Sequence, residues 1–101
     1  MNISIISEPE KVIGTIEGRL DTMAAAKFQQ DIQPLLEQAD KTIVLDCEKM
    51  EFISSSGLRI FLTIRKATMA KGGKVIIKGL TEEVKHVFTI TGFNSLFEFE
   101  E

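Results

Sequence analysis

The chain has 101 residues, with 12 Lys plus Arg against 15 Asp plus Glu and a formal net charge of -3. Its length suits one domain, residues 1–101, burying roughly two-thirds of the surface of the unfolded chain, and 44% hydrophobic with 27% charged residues is ordinary globular composition. A mildly acidic chain without a run of Lys or Arg lacks the clustered cations that hold a phosphate backbone, which argues against nucleic acid as a partner.

Ile3 and Ile5 alternate with Asn2 and Ser4, Glu8-Pro9-Glu10 interrupts, and Val12, Ile13, Thr15 and Ile16 resume, so the pattern predicts two short strands around a turn. Gly18-Arg19-Leu20-Asp21 is read as the break after the second strand. Asp21 or Thr22 then caps a helix, because a short oxygen-bearing side chain accepts an otherwise unpaired first-turn N–H. Phe28, Ile32, Leu35 and Leu36 share one face of that helix. Pro34 lacks an N–H and crowds the carbonyl of Gln30, which predicts a kink or break there. Thr42-Ile43-Val44-Leu45 is a continuous apolar run suited to a central strand covered on both sides or an inner strand of a mixed sheet, ending at Asp46-Cys47.

After Glu48 to Ile53, the polar turn Ser54-Ser55-Ser56-Gly57 leads into a deeply packed helix carrying Leu58, Ile60, Phe61, Leu62, Ile64, Arg65, Ala67 and Met69. Gly72-Gly73 ends that helix by supplying the left-handed residue a helix C-terminus favours. Lys74 to Lys78 brackets the strand Val75-Ile76-Ile77. Thr81-Glu82-Glu83 caps and charges a third helix bearing Val84, Val87 and Phe88, which Gly92 closes, and Phe97 to Phe99 adds a last short strand. The order is β-β-α-β-α-β-α with a small tail. Right-handed crossovers gather ligand surfaces at the carboxyl ends of the strands. Two loops fall there, Gly18 to Met23 and Cys47 to Gly57.

The serine triplet has three readings. It is a helix cap with spare hydroxyls, or a phosphoacceptor whose phosphate the free N–H groups and positive dipole end of the helix would receive, or a nucleophile. The third is weak, because Gly-x-Ser-x-Gly fails at Ile53 and the one possible base, His86, sits on a distant short helix where it reads as solvent-facing. Cys47 is the only cysteine, so no internal disulfide and no four-cysteine or paired Cys/His zinc site can be built; alone at a strand end it reads as a small buried hydrophobe. Asp46 fits catalysis or loop-fixing equally. No phosphate-cradling glycine loop is present. With no basic segment before Pro9 and no window near ~20 apolar residues, neither a secretion signal nor membrane insertion is expected, and a cytoplasmic location is.

Ile43-Val44-Leu45-Asp46 followed by Met50-Glu51-Phe52-Ile53-Ser54-Ser55-Ser56-Gly57-Leu58-Arg59 resembles the signature of bacterial anti-sigma factor antagonists, members of the sulfate-transporter and anti-sigma-antagonist (STAS) domain family. Glu17-Gly18-Arg19-Leu20-Asp21 is similar to that family's Gly-x-Leu-Asp element. Gly72-Gly73 and the ending Val87-Phe88, Gly92-Phe93 and Leu96-Phe97 fit in order, so the resemblance spans nearly the whole chain.

The resemblance implies an α/β single-domain fold, a mixed sheet of four to five strands backed by three main helices. It implies a partner switch and no enzyme activity or cofactor: the unphosphorylated domain binds an anti-sigma factor with serine kinase activity and so releases a sigma factor. Phosphorylation, carried over to Ser55, ends that binding, and a serine phosphatase would reverse it. One position departs from the pattern: Ser54 stands where such antagonists often have Asp. The expected partner surface comprises Arg19, Asp21, Thr22 and Met23 with Ser54, Ser55, Ser56, Gly57 and Arg59. The alternative is a phosphorylation-independent STAS scaffold or transporter-associated subunit, since the family contributes a small cytosolic subunit to some lipid-transport ATPases.

Overall fold

In the computed structural model, which describes residues 1–100, the amino-terminal alternation folds as an antiparallel hairpin of β1 (Asn2–Ser7) and β2 (Lys11–Leu20). The Glu8 N–H donates to the Lys11 carbonyl at 2.8 Å across the turn. Next come α1 (Thr22–Asp31), α2 (Gln33–Leu36), β3 (Thr42–Ile53), α3 (Ser55–Lys71), β4 (Lys74–Lys78), α4 (Glu82–Ile90), a 3-10 turn over Phe93–Ser95, and β5 (Glu98–Glu100). The break expected at Pro34 separates α1 from α2, with Pro34 in the first turn of α2, where an absent N–H costs nothing. Gly72, at φ 84°, is the left-handed residue that ends α3.

The sheet order is β1-β2-β3-β4-β5, with β2 through β5 mutually parallel. Every crossover steps the same way across the sheet, and the right-handed rule for parallel connections then accumulates the helices on one face. Burial follows: Val12, Ile16, Ile43, Leu45, Cys47, Val75 and Ile77 are buried on that face, while Ile13, Thr15, Val44, Asp46 and Ile76 on the other are half-buried. β3 is therefore central in order but covered on one side only. Phe28 of α1, Phe61 of α3 and Phe88 of α4 join the helices at ring separations of 6.2 and 6.0 Å.

The strands are longer than their sequences suggest. The sequence pattern predicts loop at residues 18–20 and 48–53, yet β2 and β3 stay paired through Gly18 with Met50, Arg19 with Phe52 and Leu20 with Ile53. Register shifts between Thr15 and Glu17 and between Gly18 and Arg19 absorb the lost alternation, with Gly18 at φ 96°. A bulge inserts a residue without ending the ladder, and so hides a strand from a period-two reading.

Candidate functional site

Because both strands run on, each meets its following helix across a single residue: Asp21 between β2 and α1, Ser54 between β3 and α3. Each residue has extended backbone and caps its helix. Asp21 Oδ1 accepts from the Ala24 N–H at 2.9 Å, and Ser54 Oγ accepts from the Gly57 N–H at 3.1 Å. The Ser54 N–H donates to the Leu20 carbonyl at 2.8 Å, which ties the two connections together.

Gly57, expected in the partner surface, is buried instead. A Cβ there would stand 2.8 Å from Leu20 Cγ and 3.0 Å from Ile53 Cγ1. The missing side chain seats the first turn of α3 on the strand ends, so Gly57 positions its neighbours and offers no surface of its own. Ser55, the first residue of α3, is left exposed, and its hydroxyl bonds to no other described residue.

The rest of the expected footprint divides in two. Thr22, Ala26 and Gln29 of α1 face Ser56, Arg59 and Ile60 of α3 across a groove of about 400 Å³. Arg19 lies elsewhere: its guanidinium stacks 4.5 Å over the Phe52 ring, and it lines a separate hollow with Glu51 and the start of α4. Met23, 89% exposed, projects from the first turn of α1. Sequence reasoning missed Phe52 because it lay in a presumed loop. It also missed Ala26, Gln29 and Ile60, although their i+4 and i+7 spacing from Thr22 and i+4 spacing from Ser56 places them on the same helix faces.

Charge separates the helix starts. α1 has Asp21 as its cap and α4 has Glu82 and Glu83 in its first turn, whereas α3 has a neutral cap and no acid in its first turn. Of the three long helices α3 alone leaves its positive dipole end without a carboxylate of its own at that start. Its exposed Ser55 sits on that end.

Other candidate chemistries do not assemble. His86 is exposed on α4, as expected, and forms no hydrogen bond with Ser55. Cys47 is fully buried, and burial, reinforced by the neighbouring Asp46 charge, pushes its thiol far above the ordinary range. Asp46 accepts from the Glu48 N–H at 3.2 Å, the loop-fixing role at the bulge. No helix among the described residues is long and apolar enough to cross a membrane.

A family model for the STAS domain matches residues 2–101. The anti-sigma-B factor antagonist of Bacillus subtilis is 26% identical over 99 residues, which are 97% of this chain and 89% of that protein. Among solved structures, an anti-sigma factor antagonist from Mycobacterium paratuberculosis superposes with a TM-score of 0.84 at 17% identity, covering 97% of this chain and 83% of that one. The Bacillus cell fate determinant SpoIIAA in its phosphorylated form gives 0.72 at 22% identity, covering 99% and 92%, and in its unphosphorylated form 0.74 at 20%, covering 99% and 88%. These likenesses establish the mixed five-stranded α/β fold, and the match over residues 2–101 makes the chain a member of the STAS domain family.

Proposed function

We propose that this protein is an anti-sigma factor antagonist that binds its anti-sigma factor when unphosphorylated and is switched off by phosphorylation of Ser55 by that partner's serine kinase activity, a serine phosphatase restoring it. The observation that carries the reading is the start of α3: Ser54 Oγ is engaged as a neutral cap, and Ser55 stands exposed on a helix end with no acid in its first turn. The names of the relatives support the antagonist role. The SpoIIAA structures in two phosphorylation states are consistent with a fold that carries a phosphate without being lost.

Magnitudes locate the switch. A phosphate adds roughly -1.5 to -2 charge, and a negative group at a helix N-terminus contributes only about 0.3 to 1 kcal/mol. Moving a two-state equilibrium from 1:99 to 99:1 requires about 5.5 kcal/mol. Reshaping the domain is therefore too weak a mechanism. Desolvating an uncompensated phosphate in an interface, or setting it against partner carboxylates, costs several kcal/mol. The partner surface under this reading is the groove of Thr22, Ser56 and Arg59, with exposed Met23 and Ser55 in the first turns of the same two helices, Asp21, Ser54 and Gly57 as the caps and seat of those helices, and Arg19 steering from its separate hollow.

The test is to incubate the purified protein with its genomically adjacent anti-sigma factor and ATP, then map phosphate by mass spectrometry. Phosphate on Ser55, lost in Ser55→Ala, is expected; phosphate confined to Ser54 or Ser56 would overturn the assignment. A Ser55→Asp variant that still binds as tightly as wild type would return the protein to the phosphorylation-independent class.

A further inference from the structure

The two edges of the sheet are guarded differently. β5 forms one edge with three residues, two of them Glu98 and Glu100, whereas β1 forms the other with Asn2-Ile3-Ser4-Ile5-Ile6-Ser7, six residues without a charge, a proline or a bulge. Short, charged edges resist pairing with another chain, and long uncharged ones invite it.

The hairpin register shows which groups β1 presents. The Glu8–Lys11 pair is hydrogen-bonded, and such pairs alternate along an antiparallel ladder, so Ile6–Ile13, Ser4–Thr15 and Asn2–Glu17 are bonded inward. The main-chain N–H and C=O groups of Ile3, Ile5 and Ser7 therefore point out of the sheet, and no other described residue bonds them.

We infer that the β1 edge pairs antiparallel with the β1 edge of a second copy of this chain, extending the two sheets into one across a twofold axis. A twofold axis perpendicular to the sheet must pass between identical residues. Centring it on Ile5 sets Ile5 against Ile5 and Ile3 against Ser7, which employs all three outward residues of each copy in about six main-chain hydrogen bonds. The same register sets Glu8 beside the uncharged Asn2, so a chain of net charge -3 meets its copy along a seam without like-charge contact. Self-pairing also closes: β1 against the β5 edge of another copy would be head-to-tail and open-ended, and it meets Glu98 and Glu100. Antiparallel pairing turns the two Ser55 ends to opposite ends of the joined sheet, so both remain free. An edge seam alone buries less than a standard interface, so the dimer forms at high concentration and dissociates on dilution.

Sedimentation velocity over a dilution series, with residue-resolved amide exchange, tests this independently of the phosphorylation reading. Dimer mass at the concentrated end is expected, with amides of Ile3, Ile5 and Ser7 protected only there and those of Ser4 and Ile6 protected throughout. Ile6→Lys charges a side chain that is 59% exposed on the seam, and Ser7→Pro removes an outward N–H without breaking a bond to β2. Both variants should stay monomeric at every concentration with an unchanged far-ultraviolet spectrum. Monomer mass for wild type at the highest concentration, a dimer that persists unweakened in both variants, or protection of those amides only on adding a different protein would overturn it.

Discussion

α1 and α3 leave neighbouring parallel strands in the same manner, across one residue whose side chain accepts the N–H three positions on, yet Asp21 places a full negative charge at one helix start and Ser54 places none at the other. Their geometry nearly coincides, at 2.9 and 3.1 Å. What differs is charge and closeness of packing: the third residue is Ala24 in α1 but a buried Gly57 in α3, pressed on Leu20 and Ile53. One start is compensated in every state of the protein, and the other is tightly seated and electrostatically open. The comparison teaches that a shared capping geometry can build a charge-compensated corner and an uncompensated one side by side, with the cap's charge deciding which is which.

The largest break in the comparison comes from the seat. Gly57→Ala should lower stability by about 1–3 kcal/mol through overpacking, whereas Ala24→Gly should cost about 1 kcal/mol or less, the propensity difference alone; urea unfolding measures both, and a neutral Gly57→Ala would remove the seating argument. A control on the strand beneath α3 uses Cys47. Its thiol is raised in the folded state above the ordinary 9.0, so stability is present in full below that pH and is lost as pH rises through it, because the unfolded chain ionises first. The expected slope approaches about 1.4 kcal/mol per pH unit. It should be absent in Cys47→Ala when unfolding is followed from neutral to alkaline pH.

Removing the caps comes next. Asp21→Ala and Ser54→Ala should each lose about 0.5–2 kcal/mol, but added salt should shrink the Asp21 loss and leave the Ser54 loss unchanged, since only one cap is charged. The smallest effect equalises the two starts: Ser54→Asp should gain about 0.3–1 kcal/mol, and Ser55→Asp should then add less on that background than on wild type. Equal increments on both backgrounds would show that the dipole end of α3 was already compensated.

Much of this was legible before the structure. Ordered alternation and helical spacing yielded the elements in sequence; Pro34 marked the split helix, and Asp21, Thr81, Gly72 and Gly92 marked helix ends, because each acts through its own local chemistry. The strand ends at residues 18–20 and 48–53 escaped because bulges erase the period that identifies a strand. Gly57 reads as surface in the sequence because its seat is made by Leu20 and Ile53, residues that the same pattern assigns to loops. Arg19 and Arg59 stand together in the expected partner surface because each belongs to a segment that resembles the family, and the stacking of Arg19 on Phe52 that parts them is a tertiary contact with no local signal.

The central claim is that a phosphate on Ser55 acts on the interface and not on the fold. The direct measurement is paired: prepare the protein phosphorylated at Ser55, and compare both its unfolding free energy and its affinity for the anti-sigma factor with those of the unmodified protein. The account predicts a stability change within about 1 kcal/mol, alongside a loss of affinity of about a hundredfold or more. Affinity unchanged within a few-fold, or a stability change of several kcal/mol with the binding loss tracking it, would contradict it.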